Sequence, residues 1–380
     1  MSTLKTTNLQ HASAASPAIV LASDGTATAQ LSSLNGGALS GARNRIINGD
    51  MRLDQRNAGA SVTPADGAYT LDRWQYGATQ ASKVTLQQST TAPAGFSNSL
   101  LITSSSAYSV SSGDLFRITQ NIEGFNFADL SFGSASAKTV TLSFWVRSSL
   151  TGSFGGSLLN SARDRSYPFS YSISAANTWE YKTVTIAGDT TGTWVGSTNG
   201  TGVRLNFSLG AGSSNSGTAG VWGSGGFVSP SGQTSVVGTN GATFYITGVQ
   251  LEAGTVATPF ERRSYGQELA LCQRYFYQIQ GNTTSNTVLG NGFSNNANDL
   301  FAYMKFPVTM RSSPTVTSSG VAVTDYNSYT VSTTGVAAHS ASTNGCNIQC
   351  TTSGGQTTYR PGVAQIGTST SNYIALSAEL

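Results

Sequence analysis

Charged side chains are scarce in this chain. Asp, Glu, Lys and Arg make up 10% of its 380 residues, against about 25% in an ordinary soluble domain. Its 20 basic and 17 acidic residues leave a net charge of +3, and the basic ones are scattered. Binding nucleic acid needs a basic patch or stripe that neutralises several phosphates, so that class of partner is set aside. The one short basic cluster, Arg262 and Arg263 after Phe260, reads as the edge of a domain. Three cysteines, Cys272, Cys346 and Cys350, cannot make a disulfide framework. With only His11 and His339 to join them, a four-ligand zinc site is hard to assemble. The cysteines read as small semi-buried residues, with a Cys346–Cys350 bridge across a turn as the alternative.

Long apolar runs are missing too. No stretch approaches the ~20 residues of a membrane span. The opening MSTLKTTNLQHASAASP lacks the apolar core of a secretory signal. The expectation is a chain made in a cytoplasm that stays soluble, unless another route exports it. Catalytic signatures are equally sparse. No GxSxG surrounds a serine, and His339 is the one histidine in the strand-rich part. The glycine spacings have no strand–helix context with a following acid, so nucleotide binding carries no weight.

Ser, Thr, Asn and 43 glycines fill the space that charge leaves. Such a surface fits either disorder or a rigid, neutral, turn-rich β-protein. Disordered chains have few aromatic and β-branched residues. Here 16 Phe, 15 Tyr and 5 Trp sit in alternating patterns, so the chain folds.

Residues 1–43 are rich in Ser, Ala, Thr and Gly, with one apolar patch at Ala18-Ile19-Val20-Leu21. They are too few and too polar for a core, and read as an extended segment. From 44 to 263 the pattern is β. Val203, Leu205, Phe207 and Leu209 alternate with polar residues, as do Val140, Leu142, Phe144 and Val146, the period of a half-buried strand. Phe244 and Ile246 share a face. Gly- and Asn-rich turns separate these runs, which predicts an antiparallel sandwich, most simply a jelly roll. Residues 264–279 are the one convincing helical stretch, with Leu269, Cys272 and Phe276 on one face and no capping box. Beyond Val288 the β pattern returns, and 264–380 form a second small β-domain. Pro307 favours an edge or bulge there. The terminal IALSAEL suggests a tip whose last strand is paired.

Three segments carry a family resemblance. MSTLKTTNLQHASAASPAIVLASDGTATAQLSSLNGG is similar to the N-terminal segment of bacteriophage fibres and virion appendages. NRIINGDMRLDQRNAG, YTLDRW and FYITGVQLEAGTVATPFERR together resemble a jelly-roll module widespread in tail fibres, itself similar to carbohydrate-binding modules of glycoside hydrolases. CQRYFYQI, FPVTMRSSPTV and IALSAEL resemble the C-terminal domain of such fibres. The resemblance implies a homotrimeric virion protein, synthesised in the host cytoplasm. Residues 1–43 would attach it to a phage tail, adaptor or other virion protein. The distal part would hold bacterial surface polysaccharide, with no cofactor, nucleic acid or membrane insertion. A capsid-decorating or collar protein without a receptor and a glycan depolymerase are the alternatives.

A depolymerase needs two carboxylates about 5–10 Å apart. Asp50, Asp54, Asp164 and Glu252 read instead as turn and strand-end charges, with Asp164 in an ion pair between Arg163 and Arg165. The jelly-roll resemblance brings in a structural calcium, to which Asp50 and Glu252 contribute only if their strands meet. No recognisable ligand cluster exists, so no metal is assigned. Sugar recognition needs aromatic faces with amides and carboxylates beside them. TDYNSYT supplies Asp325, Tyr326, Asn327 and Tyr329, with His339, Tyr359 and Arg360 as companions. Trp222, in the glycine-flanked GVWGSGG, is the other candidate. Trp145 and Trp179 read as packing.

Overall fold

The computed structural model describes residues 8–9, 19–21, 23, 27–29, 42–327 and 329–380. Most of the expected attachment segment therefore lies outside the described residues, as does His11. Its described parts, Asn8–Leu9, Ile19–Leu21 and Ala27–Ala29, pair as a small antiparallel sheet.

Eleven longer strands follow: β1 Tyr69–Leu71, β2 Trp74–Ala78, β3 Val84–Ser89, β4 Ser99–Ser104, β5 Leu115–Glu123, β6 Val140–Ser148, β7 Gly152–Asn160, β8 Arg165–Ile173, β9 Glu180–Ile186, β10 Thr201–Ala211 and β11 Thr243–Ala253. One sheet runs β8-β7-β10-β5-β2-β1, extended at β8 by Gly223–Ser224, and the other runs β9-β6-β11-β4-β3. The chain crosses between the sheets repeatedly, as in a jelly roll. Alternation decides which side chains meet. Phe144 on β6 lies 5.0 Å from Phe207 on β10 and 4.9 Å from Tyr171 on β8, ring centre to ring centre. Val203, Leu205, Phe207, Leu209, Phe244 and Ile246 are all fully buried between the sheets.

The two signature stretches meet. Arg45 N donates to Leu251 O and Val249 N to Gly49 O, both at 2.9 Å. Asn44 joins the same pairing, its Nδ2 donating to Val249 O and its Oδ1 accepting from Leu251 N. A side chain at position 49 would collide with the Val249 carbonyl oxygen. Glycine is required there for close approach rather than for turning. Asn48 takes a left-handed backbone, φ 56°, a region where asparagine is among the tolerated residues. Its side chain bonds Leu53 and Asp72, while Trp74 Nε1 donates to its carbonyl.

The helix, α1, covers Tyr265–Gln273, shorter than the sequence pattern. A capping box does start it: Ser264 Oγ accepts from Gln267 N, and the Gln267 side chain reaches back to Ser264 N. Leu269 and Cys272 face inward with Ile47, Leu53 and Tyr275. Phe276 instead opens strand β12, Phe276–Gln280, because the chain must leave the helix to pair with the last strand.

Eight strands complete the fold: β13 Thr287–Ser294, β14 Asp299–Lys305, β15 Thr315–Ser319, β16 Val321–Thr324, β17 Thr330–His339, β18 Gly345–Thr352, β19 Pro361–Ile366 and β20 Tyr373–Ser377. Six close a barrel in the order β13-β14-β18-β17-β16-β19, while β20 lies between β12 and β15 in a three-stranded sheet. Pro307 falls just beyond β14, so Val308 and Met310 do not continue that strand. Cys346 and Cys350 point into the barrel core, four residues apart on β18. That spacing is roughly 13 Å, beyond the reach of a disulfide, and both thiols are free. Burial pushes them up, to about 11 and about 12.

The last strand is paired on both sides, but its exit is not a tip. Ala378–Leu380 run back onto the sandwich. Tyr69 Oη and Asn121 Nδ2 donate to Leu380 O at 2.7 and 3.0 Å. The Glu379 carboxylate is shared by Arg56 and the buried Arg73. Arg274 adds a further tie through Glu123, at 2.5 Å.

Candidate functional site

At one end of the barrel, two turns stand side by side. The first joins β16 to β17, and Asp325 organises it: its Oδ1 accepts from Asn327 N and Tyr329 N, both at 3.0 Å. Thr324 Oγ1 accepts from Tyr326 N and donates to Tyr329 O, each at 2.9 Å. The second turn precedes β19 and carries Tyr359 and Arg360, with Ser294 Oγ held by Gln356 behind it. Arg360 Nε lies 3.1 Å from Asp325 Oδ2 and ties the turns together.

Tyr326 and Tyr359 both adopt left-handed backbone, φ 60° and 61°. That conformation is an outlier for a bulky residue and typically costs on the order of 1–3 kcal/mol. Both rings nonetheless face solvent, 67% and 80% exposed. Beside Tyr326 is a polar cleft of about 430 Å³, lined also by Asn286, Asn327, Tyr329, Thr330 and Gln365. Tyr326 Oη donates to Gln365 Oε1 at 3.3 Å. Asp325, Tyr326, Asn327, Tyr329, Tyr359 and Arg360 are thus brought together.

His339 is not. It ends β17, whose ten residues run roughly 30 Å from the Tyr329 turn. Its ring meets Phe301 edge to face at 5.0 Å. Phe301 pairs directly with Phe293 on β13 and with Gln349 on β18, while His339 pairs with Asn347. Tyr303, also opposite Asn347, is largely exposed, as is Phe293. Nearby, Asp299 Oδ1 accepts from Thr351 and Gln349. Its carboxyl is held below the usual range, chiefly by Asn296 and then Thr351. The barrel's outer wall thus carries an aromatic row edged with amides. The sequence held the signal: if Ala302 and Met304 point inward, Phe301 and Tyr303 must point out.

Trp222 is not a free sugar platform. It packs against Tyr167, Trp194 and Phe132 at 5.3–5.8 Å, and its Nε1 donates to Ala187 O at 2.7 Å. The loop folds down so that the indole is partly covered and its N–H satisfied. Trp145 and Trp179 do pack, but on the outer face of the five-stranded sheet, against Tyr181 and Tyr245.

The singled-out acids do not form a pair. Asp54 accepts from Asn57 N and Gly59 N within its own turn. Asp50 pairs with Arg52, whereas Glu252 is enclosed by Thr258 and Gln250. The expected Asp164 ion pair is absent: Asp164 accepts from Asn160 Nδ2 at 2.6 Å, and Arg165 turns to Asp189 at 2.7 Å. Among the described residues, no three His, Cys, Asp or Glu cluster as metal ligands.

A roomier hollow of about 650 Å³ lies where α1 meets the sandwich, lined by Arg45, Ile47, Arg263, Leu271, Arg274 and Val308 among others. Three of its four arginines are ion-paired, Arg45 to Asp129, Arg263 to Glu268 and Arg274 to Glu123, while Arg262 donates to the Gly95 carbonyl. This hollow is the joint of the molecule.

No family model matches the chain, and no curated protein does. Among solved structures it is similar to a putative sugar-binding protein from Bacteroides thetaiotaomicron, with 12% identity over 55% of this chain and 99% of that one, TM-score 0.34. It is similar to the TmCBM61 module solved with β-1,4-galactotriose, with 8% identity, 56% and 99% coverage and TM-score 0.29. The CBM22-1 xylan-binding domain from Paenibacillus barcinonensis Xyn10C gives 8% identity, 59% and 100% coverage and TM-score 0.27.

Proposed function

We propose that this chain is a bacteriophage tail fibre or related virion appendage, and that its barrel holds glycans of the host surface without cleaving them. The observation that carries the adhesive part is the pair Tyr326 and Tyr359. Two large rings are held in costly backbone conformations, yet they are turned outward. A residue that only filled space would relax. The rings supply flat apolar faces for sugar C–H surfaces. Asn327 and Gln365 in the cleft, and the half-exposed Arg360 beside it, supply donors and acceptors for hydroxyl groups. Because hydrogen bonds already fix the turn, little ordering entropy is lost on binding.

The virion part of the reading is supported by the sequence resemblance of residues 1–43, 44–263 and 264–380 to fibre segments. In that setting a homotrimer attaches through residues 1–43 and presents three weak sites. Several trimers on one particle then raise avidity without any tight single contact. Trimerisation also covers sheet edges that a lone chain leaves open. The jelly roll between attachment segment and barrel acts as a rigid spacer, and the arginine and glutamate ties at the joint keep the barrel's aim fixed.

The test is to mix the purified full chain with host cells and with extracted surface polysaccharide, while assaying the mixture for new reducing ends. The expected result is binding that Tyr326→Ala and Tyr359→Ala each weaken about tenfold, with no new reducing ends. Cleavage would make the protein a depolymerase. A folded oligomer that binds no host glycan would point to a capsid or collar role. A monomer by light scattering at micromolar concentration would remove the trimer.

A further inference from the structure

Arg117 and Arg204 lie on the polar outer face of the larger sandwich sheet and Arg163 lies in an adjoining turn, and among the described residues none of the three enters an ion pair. Arg117 on β5 is 8% exposed, and its Nη1 donates to Asn206 Oδ1 on β10 at 2.9 Å. Its Nε is buried without a partner, as is that of Arg204. The register fixes their relation. Ser208 pairs with Arg117, Asn206 with Thr119 and Arg204 with Asn121. Reaching over Asn206, the Arg117 guanidinium therefore stands one two-residue step, roughly 7 Å along the strand, from the root of Arg204. Arg163 sits in the β7–β8 turn, exposed and in left-handed backbone at φ 60°.

Of the consecutive charges Arg163, Asp164 and Arg165, the last two are turned to Asn160 and Asp189. Among the described residues the Arg163 and Arg204 side chains enter no ion pair. The carboxylate that acts on Arg117 is Asp66, whose Oδ1 accepts from Ala78 N. Tyr69 acts weakly on Arg204, and its hydroxyl is given to Leu380. The three guanidiniums feel one another. Burial first, then Arg163 and Arg204, lowers Arg117 to about 10, and burial and then Arg163 lower Arg204. The floor beneath them is uncharged and polar: Thr119 Oγ1 donates to Asn206 Oδ1 at 2.7 Å, and Asn206 Nδ2 to Ser157 Oγ at 3.1 Å.

A buried guanidinium without a counter-charge costs several kcal/mol unless something pairs with it, on the order set by desolvation. In a chain this poor in charge, Arg117 and Arg204 on one polar floor, with Arg163 in the turn that follows the Leu159–Arg204 and Asn160–Val203 pairing, are the feature that needs a partner. We propose that Arg117, Arg163 and Arg204 form a binding site for an oxyanion, the carboxylate of an acidic saccharide or a phosphate group. The fork of N–H donors on each guanidinium suits such a group. Arg117 supplies the inner donors, fixed by Asn206, and Arg204 and Arg163 close over the anion from the mouth. This site is separate from the barrel and stands whether or not the barrel binds sugar.

The experiment is isothermal titration of the full chain with sodium glucuronate, with inorganic phosphate and with glucose as the neutral control. Arg204→Gln and Arg163→Gln are the variants, since both side chains reach solvent. Arg117 is left intact because it holds Asn206. The expected result is binding of an oxyanion but not of glucose, weakened about tenfold or more by each substitution and weakened by added salt. Tighter binding of glucuronate assigns a saccharide carboxylate, and tighter binding of phosphate assigns a phosphate group. Arg204→Gln should also melt no lower than the parent in anion-free buffer, since it relieves repulsion. Absence of binding by both anions at millimolar concentration, or affinities unchanged in both variants, would overturn the proposal. Tyr326→Ala should leave the anion affinity untouched, so the two sites fail independently.

Discussion

Arg360 Nε stands 3.1 Å from Asp325 Oδ2, and this one ion pair joins the turns that present Tyr326 and Tyr359. The other carboxylate oxygen of Asp325 is occupied by two backbone amides of its own turn. One nearly buried acid therefore shapes the first turn and tethers the second. Arg360 is 38% exposed at its side chain, so water screens the pair and its own contribution to stability is no more than about 1 kcal/mol. Its importance is positional.

The substitution Arg360→Gln should accordingly separate stability from binding. The melting temperature is expected to move by a few degrees at most, since about 1 kcal/mol shifts it by only a few degrees in a domain of this size. Retention on host polysaccharide should fall about as far as in Tyr359→Ala, roughly tenfold. Asp325→Ala should do more, because two amides of the turn lose their acceptor, at about 0.5–1.5 kcal/mol for bonds that water can partly replace. Calorimetry beside a binding assay checks both. A variant Arg360→Gln that binds normally would show that the turns keep their places without the tether.

Gly49→Ala tests the joint between the signature stretches. The added methyl meets the Val249 carbonyl oxygen, which lies in the irregular stretch of β11 between Thr247 and Gln250 and is already held by Asn44 Nδ2. Overpacking of this kind costs about 1–3 kcal/mol, occasionally more. The denaturation midpoint should fall, and amide exchange at Val249 and Gly49 should quicken first. An unchanged midpoint would mean that the strand and the INGDM turn do not approach so closely in solution.

Loss of stability as the pH rises through mild acid should centre on Asp72. Its carboxylate accepts from Arg56 at 3.0 Å and from Gln55 at 2.8 Å, and a guanidinium partner alone would lower its pKa. Burial wins, because the side chain is 1% exposed, and the group is raised to about 6. A carboxyl raised in the fold favours the folded state when protonated. Its contribution is fully present below about pH 4 and is lost as the pH rises through about 6. Asp114, Glu180, Asp189 and Asp299 are lowered and act in the opposite sense at more acid pH. Asp72→Asn should reduce the fall in stability between pH 4 and 6, leaving the part that comes from Asp54, whose carboxyl is also raised by burial. Urea unfolding of both proteins at half-unit pH intervals would show it, and parallel curves would contradict the assignment.

The strands were legible because alternation is local: Val203 to Leu209 and Val140 to Val146 announce one buried face each, and burial follows. Closure into a barrel was not, since it depends on β19 pairing with both β13 and β16 across long intervals. The capping box at Ser264 and Gln267 was written in the sequence but masked by a helical period that appeared to run on to Phe276. Tyr326, Tyr329 and Arg360 could be grouped by composition, whereas His339 could not be excluded without knowing that β17 runs the length of the barrel. The arginine site was invisible for a simpler reason. Arg117, Arg163 and Arg204 are 87 residues apart at their extremes (204 minus 117) and meet only through sheet register.

Trp222 separates a structural from a binding role most sharply. Its ring is edge-on or tilted to Phe132, Tyr167 and Trp194, and its N–H is given to Ala187. Removing a large aromatic from a packed cluster costs about 3–5 kcal/mol when fully buried, and proportionately less here, because Trp222 is half-buried. Trp222→Ala is expected to lower the unfolding midpoint clearly, while polysaccharide retention per folded molecule stays at the parent value. Tyr326→Ala is expected to do the reverse, since its ring is exposed and alanine keeps the same left-handed backbone cost. If Trp222→Ala instead abolished binding with its stability intact, the glycan site would lie on the sandwich, and the barrel turns would be left without a ligand.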